Sequence, residues 1–288
     1  MTPAAPPATG HAFAALGTRW EVAGDALDLA PALRALDDLD RTWSRFREDS
    51  VVAHVARRGG VIPLDPATTR LLDLYDRLDA LTGGAVNPLV GGSLEALGYD
   101  ASYSLVAGAP VAAPPWRDVV RTPERLELPA PCVVDIGAAG KGLAVDLVAE
   151  ALDRPAGALH WVDASGDLWN APGHRPLRVA LEDPADPAAA VGVVEVAPGQ
   201  AIAASATNRR AWGDGLHHVL DARTGEPVRR VIATWAIADS ALLADGAATA
   251  LFFAAADRVA ADLGVVAVRL LSDRTVDVGD GFTGEVFT

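Results

Sequence analysis

The residues best suited to chemistry lie in three short segments of the second half of the chain. A glycine-rich turn contains Asp135 and Lys141, a pair of histidines ends at His218, and an apolar helical segment carries Asp245 and Thr249. Free turn amides suit phosphate, carboxylate and hydroxyl oxygens suit a hard cation such as Mg²⁺, and a strand-end histidine can move a proton. Each segment taken alone suggests one such ligand or role.

The glycine-rich turn, Val134–Gly142, separates a predicted strand over 131–136 from a predicted helix over about 141–153. Lys141 falls in the first turn of that helix, where the helix dipole disfavours a cation. We therefore expect an anion or a carboxylate beside it. The glycine spacing matches neither a Walker A motif nor a dinucleotide fingerprint, and tight packing of strand against helix is the alternative explanation of the glycines.

The histidine pair and the acidic helix each have a structural alternative. Strand alternation over 216–220 places His217 and His218 on opposite faces, and an Asp three residues after His218 makes a general base plausible; a satisfied polar side chain is the alternative. In a helix over 240–256, Asp245 and Thr249 share one face. A buried Asp needs a cation or several donors, so the alternative is an Asp bonded to backbone. A close approach of another segment would explain Gly246.

The elements that must position these residues indicate an α+β fold. We predict a strand over 13–23, an amphipathic helix over 27–43, a helix opened by Asp65-Pro66 and closed by Gly83-Gly84, and irregular or short β structure over 101–130. Strands dominate the second half, and few helices separate them. The predicted strands there are 159–164, 177–182, 192–197, 200–205, 216–220, 231–238 and 265–272. This pattern favours a largely antiparallel sheet with packed helices.

Composition excludes several classes of protein. The 288 residues carry 24 basic and 38 acidic side chains, a net charge of −14, which disfavours binding to nucleic acid or to an anionic membrane surface. No run of 18 uncharged apolar residues predicts a membrane span. Residues 1–12 lack the features of a secretory signal and resemble a flexible lead, so we expect a cytoplasmic protein.

Cys132 is the only cysteine, and Lys141 is the only lysine among 24 basic residues. Chemistry that Arg cannot perform is one explanation of that lysine, and chance is the other.

In combination and order, these segments resemble the ApbE family, the FAD:protein FMN transferases. Seven segments between about residues 13 and 255 match the family's pattern. They are Leu16-Gly17-Thr18, 46–50, 82–88, 135–142, 164–167, 217–225, and Ala244-Asp245 with Thr249. The resemblance implies an ApbE/T-fold-like α+β fold, with a single flavin transferase domain over 13–288.

The resemblance also implies a reaction and roles for residues. The family transfers FMN from FAD to a Thr or Ser hydroxyl of a target flavoprotein, releases AMP and requires Mg²⁺. His218 would be the general base. The metal would be held by Ala138, through its carbonyl, and by Asp245 and Thr249. The residues expected to contact FAD are Leu16, Ala85, Val86, Asn87, Asp135 and Lys141.

Several positions depart from the family's pattern. Asn87 replaces an Asp, Gly140 an Ala, Ser165 and Ala206 each a Gly, and Ala222 a Pro. The expected metal and histidine positions are intact, so we expect activity. An FAD pyrophosphatase that releases FMN and AMP uses the same site and remains an alternative, as does a noncatalytic FAD-binding protein on the same scaffold.

Overall fold

The computed structural model describes residues 9–153 and 157–287, which form short strands and helices in alternating groups. The helices are α1 (Ala30–Trp43), α2 (Val51–Arg58), α3 (Pro66–Thr82), α4 (Gly91–Ala96), α5 (Gly140–Leu152), α6 (Ala241–Ala250) and α7 (Ala256–Leu263), with short 3₁₀ turns at Pro88–Val90 and Trp116–Asp118.

The strands fall into a first-half group and a larger second-half group. The first group is β1 (Thr9–Ala15), β2 (Thr18–Gly24), β3 (Gly60–Pro63), β4 (Val120–Thr122) and β5 (Arg125–Leu128). The second group is β6 (Leu159–Asp163), β7 (Asp167–Asn170), β8 (Leu177–Asp183), β9 (Asp186–Val196), β10 (Ala201–Ala206), β11 (Ala211–Trp212), β12 (Leu216–His217), β13 (Leu220–Asp221), β14 (Glu226–Pro227), β15 (Val231–Ala238), β16 (Val266–Leu271), β17 (Val276–Val278) and β18 (Glu285–Val286).

An antiparallel sheet of eight strands forms the centre of the fold, in the order β1-β2-β6-β7-β10-β15-β16-β17. Smaller sheets of two or three strands surround it. Every strand pairing within the described residues is antiparallel. The prediction of a largely antiparallel α+β fold is therefore confirmed.

Both faces of β15, in the interior of the central sheet, are buried, which explains its apolar run. Ala236 and Ala238 face the core formed with α1, α3, α5 and α6. Trp235 and Ile237 face a second cluster, which Leu181 and other residues of β8 and β9 complete. An antiparallel strand with one solvated face alternates apolar and polar residues, so a strand covered on both sides has no polar face.

The predicted strand over 13–23 is instead a hairpin. β1 and β2 pair from Thr9↔Gly24 to Ala15↔Thr18, and Leu16 and Gly17 form the turn, with φ angles of +51° and +70°. Two consecutive residues at positive φ are typical of the tight turns that join twisted strands. The hairpin begins inside the predicted lead over 1–12, of which residues 1–8 lie outside the described residues.

The remaining predictions are met to different degrees. Asp65 caps α3, which begins with Pro66, and Gly83 ends that helix in a left-handed conformation, as predicted. Residues 131–136 are extended but belong to no sheet, so the strand predicted there is wrong. The predicted strand over 216–220 is two short strands, and the helix over 240–256 ends at Ala250. No helix among residues 9–153 and 157–287 is long and apolar enough to cross a membrane.

Close packing of α5 on α6 fixes the two segments that carry the chemistry. A Cβ atom on Gly142 would lie 2.2 Å from the Ala241 carbonyl oxygen, so only glycine fits there. Asp146 accepts hydrogen bonds from the amides of Ala241 and Leu242, at 2.8 and 3.0 Å, and thereby caps the first turn of α6. Gly246 is explained likewise, because an added Cβ would lie 2.7 Å from Leu74 of α3.

We expect Asp146→Ala to lower the free energy of unfolding by about 1–3 kcal/mol, because two buried helix-end amides lose their acceptor. The measurement is chemical denaturation followed by circular dichroism. Glu150→Ala, on the same helix, removes only an exposed 3.3 Å ion pair with Arg70 and is the matched control, with an expected change below about 0.5 kcal/mol. Equal losses in the two variants would contradict the capping role.

Candidate active site

The glycine-rich turn meets the central sheet where β6 ends and β7 begins. Lys141 extends from the first turn of α5 to Asp167 at the start of β7, with Nζ 3.2 Å from Oδ1. Asp167 is fully buried, and burial raises its pKa while the positive charge of Lys141 opposes the shift. The carboxylate predicted from the position of Lys141 is thus Asp167.

Asp135 is held by a buried arginine that the sequence did not single out. Nε of Arg45 donates to Oδ2 of Asp135 at 2.6 Å, and the Gly137 amide donates to Oδ1 at 2.7 Å. Burial works against ionisation of Asp135, but Arg45 and the Gly137 amide bring its pKa below the usual range. The guanidinium of Arg45 also lies over the rings of Phe46 and Tyr99. Asp135 therefore holds the shape of the turn, since both of its oxygens already accept protein hydrogen bonds.

The predicted metal ligands come together beside this turn. Oδ2 of Asp245 accepts from the Gly142 amide at 2.8 Å, and the Thr249 hydroxyl donates to the Ala138 carbonyl oxygen at 2.9 Å. Burial raises the pKa of Asp245 well above its ordinary value, and the nearby Asp167 adds to the rise. A buried carboxylate of this kind favours a cation.

The donor set fits a small hard cation. Its donors are the Asp245 carboxylate, the Thr249 hydroxyl and the Ala138 carbonyl, and oxygen donors of these types are the ligands that Mg²⁺ prefers. No three His, Cys, Asp or Glu side chains converge on a common metal position in the described parts of the chain. A metal here would therefore depend on oxygen donors of mixed type, which suits Mg²⁺ better than zinc.

His218 lies beside the site, and the hydrogen bonds of its ring differ from those of the neighbouring His217. Both ring nitrogens of His217 have backbone partners, the Val228 carbonyl at 2.8 Å and the Val219 amide at 3.3 Å. The buried Nδ1 of His218 has no hydrogen-bond partner among the described residues. Burial first, and the charge of Arg210 second, lower the pKa of His218 to about 3. The ring is therefore neutral at neutral pH.

The Asp predicted to accompany His218 has another partner. Asp221 accepts from Nε and Nη2 of Arg223 at 2.8 and 2.5 Å, and it also holds the turn amides that follow. The sequence spacing of His218 and Asp221 therefore reflects a turn rather than a base and its orienting carboxylate.

The segment 85–87 is a buried turn joined to two other loops. Asn87 accepts from the Leu89 amide and donates through Nδ2 to the Pro114 carbonyl, both at 2.8 Å. The Ala85 carbonyl accepts from the Ala222 amide at 3.1 Å, and the Val86 amide donates to the Thr82 hydroxyl at 3.0 Å. Flavin contact by residues 85–87 stays a prediction.

Leu16 occupies the turn of the β1–β2 hairpin, at the end of the sheet where β6 also ends. It is half-buried, and its φ of +51° is unfavourable for a branched side chain. Backbone strain of this kind is concentrated at functional sites. Its proposed position against the flavin stays a prediction as well.

Sequence reasoning missed three charged residues of this region. Asp167 was part of a matched motif but received no role, although the need of Lys141 for an anion pointed to a buried carboxylate. Arg45 and Arg210 gave no signal, because many arginines are present and only the fold brings these two near Asp135 and His218.

A scan against family models finds the ApbE family over residues 16–266. The chain belongs to the ApbE family. Its relative from Rhodobacter capsulatus, an FAD:protein FMN transferase, is 34% identical over 249 residues, which cover 80% of this chain and 47% of that protein. The chain thus spans about half the length of that relative. The FAD:protein FMN transferase of Klebsiella pneumoniae is 28% identical over 87% of this chain and 80% of its own length.

Solved structures of ApbE proteins share the fold. The ApbE protein of Thermotoga maritima superposes with a TM-score of 0.81 at 24% identity, covering 95% of this chain and 97% of that one. The flavin transferase ApbE of Vibrio cholerae gives 0.74 at 21% identity, covering 96% and 99%. The predicted ApbE-like fold is therefore confirmed.

The low pKa of His218 predicts acid sensitivity. The unfolded histidine binds a proton near pH 6.5 and the folded one near pH 3, so the contribution of the neutral ring is complete above pH 6.5 and is lost as the pH falls below it. We expect His218→Gln to show a flatter dependence of unfolding free energy on pH between 6.5 and 4, by up to about 1.4 kcal/mol per pH unit. Parallel curves for variant and wild type would contradict the burial of a neutral ring.

Proposed function

We propose that this ApbE protein transfers FMN from FAD to a Thr or Ser hydroxyl of a target flavoprotein, with Mg²⁺, and releases AMP. The observation that carries the proposal is the contact between the Gly142 amide and Asp245, at 2.8 Å. It joins an oxygen donor set suited to Mg²⁺ to a turn suited to phosphate, as transfer of a phosphoryl group requires. The activities of the named relatives support the same reaction.

Mg²⁺ would be held by Asp245, the Thr249 hydroxyl and the Ala138 carbonyl. When bound there, it neutralises charge on the transferring phosphoryl group. Lys141 extends from the same turn to Asp167, which balances its charge, and its ammonium group would donate hydrogen bonds to the phosphate. These groups act by position and charge and exchange no proton with the substrate.

His218 is the group of this site that can accept the proton of the acceptor hydroxyl. Its ring is neutral at neutral pH, and its buried Nδ1 has no hydrogen-bond partner among the described residues. A bound diphosphate adds negative charge beside the ring, which raises the pKa of the histidine and strengthens it as a base.

The proposed step balances as a displacement at phosphorus. The acceptor oxygen forms a bond to the phosphorus of the FMN half, and the bond from that phosphorus to the bridging oxygen breaks. AMP leaves with the bonding electron pair, and the proton of the hydroxyl passes to His218. Water in place of the hydroxyl gives FMN and AMP, which is the reaction of an FAD pyrophosphatase.

The direct test combines the protein with FAD, Mg²⁺ and a flavoprotein domain that exposes a Thr-containing acceptor segment. We expect flavin fluorescence on the acceptor in a denaturing gel, together with released AMP. FMN and AMP without labelled acceptor would show hydrolysis instead. Unchanged FAD would show a binding protein, and either result overturns the proposed transfer.

We expect His218→Ala to abolish transfer while FAD remains bound, because the ring accepts the proton and is not needed for binding. Rates of acceptor labelling are compared with FAD binding measured by flavin fluorescence. His54→Ala, an exposed histidine of α2, is the control and keeps the wild-type rate. Transfer by His218→Ala at the wild-type rate would show that another group is the base.

We expect Asp245→Asn to remove the response to Mg²⁺, since the site loses its only carboxylate donor. Two readouts apply: Mg²⁺ titration of transfer, and the rise in Tm that Mg²⁺ produces in the presence of FAD. Asp239→Asn, an exposed residue just before α6, is the matched control. An unchanged Mg²⁺ titration in Asp245→Asn would contradict the assignment of the metal site.

A further inference from the structure

A short hairpin places Arg210 directly beside His218. β11 pairs with β12 in the register Ala211↔His217, and the next pair continues this ladder because the His218 amide donates to the Arg210 carbonyl at 3.2 Å. Residues opposite one another in an antiparallel pair project from the same face, with Cβ atoms ~5 Å apart. The side chain of Arg210 therefore leaves the hairpin on the face from which the His218 ring projects.

The hairpin is fixed to the wall of the site and is not a free loop. Trp212, two residues after Arg210, is buried, stacks on the Tyr99 ring at 5.3 Å and donates to the Leu97 carbonyl at 2.9 Å. The Tyr99 carbonyl accepts in turn from Arg45, at 2.7 Å, the residue that holds Asp135. Packing and hydrogen bonds thus connect the backbone of Arg210 to the glycine-rich turn.

The guanidinium of Arg210 is exposed and has no ion pair or hydrogen bond with the residues that the structure describes. Its positive charge nevertheless acts within the site, because it contributes to the low pKa values of His218 and Asp135. The adjacent Arg209 differs, since its guanidinium is bound by Glu182 at 2.7 and 2.9 Å. Arg210 is therefore a cation available to a ligand.

A charge count of the site leaves a role for this cation. Arg45 neutralises Asp135, and Lys141 neutralises Asp167. A divalent cation at Asp245 balances the two charges of a bound diphosphate, which leaves the negative charge of Asp245 itself. Arg210, whose guanidinium has no ion pair among the described residues, is a positive group next to His218 that can balance this charge.

We propose that Arg210 binds the diphosphate of FAD, with its guanidinium donating paired hydrogen bonds to phosphate oxygens on the side of the site that faces His218. The proposal rests on the proposed function, since FAD is the ligand that it names. Planar guanidinium groups suit such paired contacts, which are charge-assisted and stronger than neutral hydrogen bonds. The same contact holds the phosphorus under attack beside His218.

The test measures equilibrium binding of FAD and of ADP, with Mg²⁺, to the protein by calorimetry. We expect Arg210→Ala to raise both Kd values by about ten-fold or more and to weaken their dependence on salt. Arg210→Lys should restore part of the affinity, because it returns the charge without the paired donors. Arg209→Ala is the matched control and keeps the wild-type Kd values. The guanidinium of Arg210 is exposed, and equal Tm values show that the variants are folded.

An FAD affinity of Arg210→Ala within two-fold of that of Arg209→Ala would overturn the proposal. A normal FAD affinity with a raised KM for the acceptor protein would also overturn it, in favour of a contact with the acceptor. FAD binding is measured without FMN transfer, so the role of Arg210 and the transfer reaction can be refuted independently. Wild-type protein that binds FAD through Arg210 but labels no acceptor refutes only the transfer reaction. Failure of the wild type to bind FAD refutes both.

Discussion

The site depends on the contact between the start of α5 and the middle of α6. Gly142 brings the two helices so close that its amide bonds to Asp245, and Asp146 on the next turn of α5 caps α6. The packing of α5 on α6 therefore sets the distance between the glycine-rich turn and the side-chain oxygens of Asp245 and Thr249. The hydrogen bond from the Thr249 hydroxyl to the Ala138 carbonyl joins the last turn of α6 to the glycine-rich turn. A side chain at position 142 would separate the helices and take the donors away from the turn.

Two departures from the family's pattern have a shared structural explanation. The Asp that Asn87 replaces has no hydrogen to donate at neutral pH, whereas Asn87 donates to the Pro114 carbonyl. The Pro that Ala222 replaces has no amide hydrogen, whereas Ala222 donates to the Ala85 carbonyl. Both new donors join the turn at 85–87 to its neighbouring loops. Asn87 and Ala222 thus contribute hydrogen bonds to the framework beside the site.

The sequence predicted contacts that follow from local rules better than those that need the whole fold. The position of Lys141 against the helix dipole predicted a carboxylate, and helical spacing placed Asp245 and Thr249 on one face. The hairpin with its turn at residues 16 and 17 was predicted as one continuous strand, because apolar alternation continues through the tight turn. Arg45 and Arg210 could not be found from spacing, since 90 residues separate Arg45 from Asp135. The expectation for Asp221 was wrong for the opposite reason, because it is close to His218 in sequence but binds Arg223 instead.

The net charge of −14 is compatible with the proposed anionic substrate, because charge acts locally in this protein. At physiological salt, exposed charges more than ~8 Å away are largely screened, so the groups within the site decide what binds. There the carboxylates of Asp135 and Asp167 are each paired with a basic side chain. The lone lysine of the chain thus has a defined partner, because its ammonium group reaches the fully buried Asp167 from the first turn of α5.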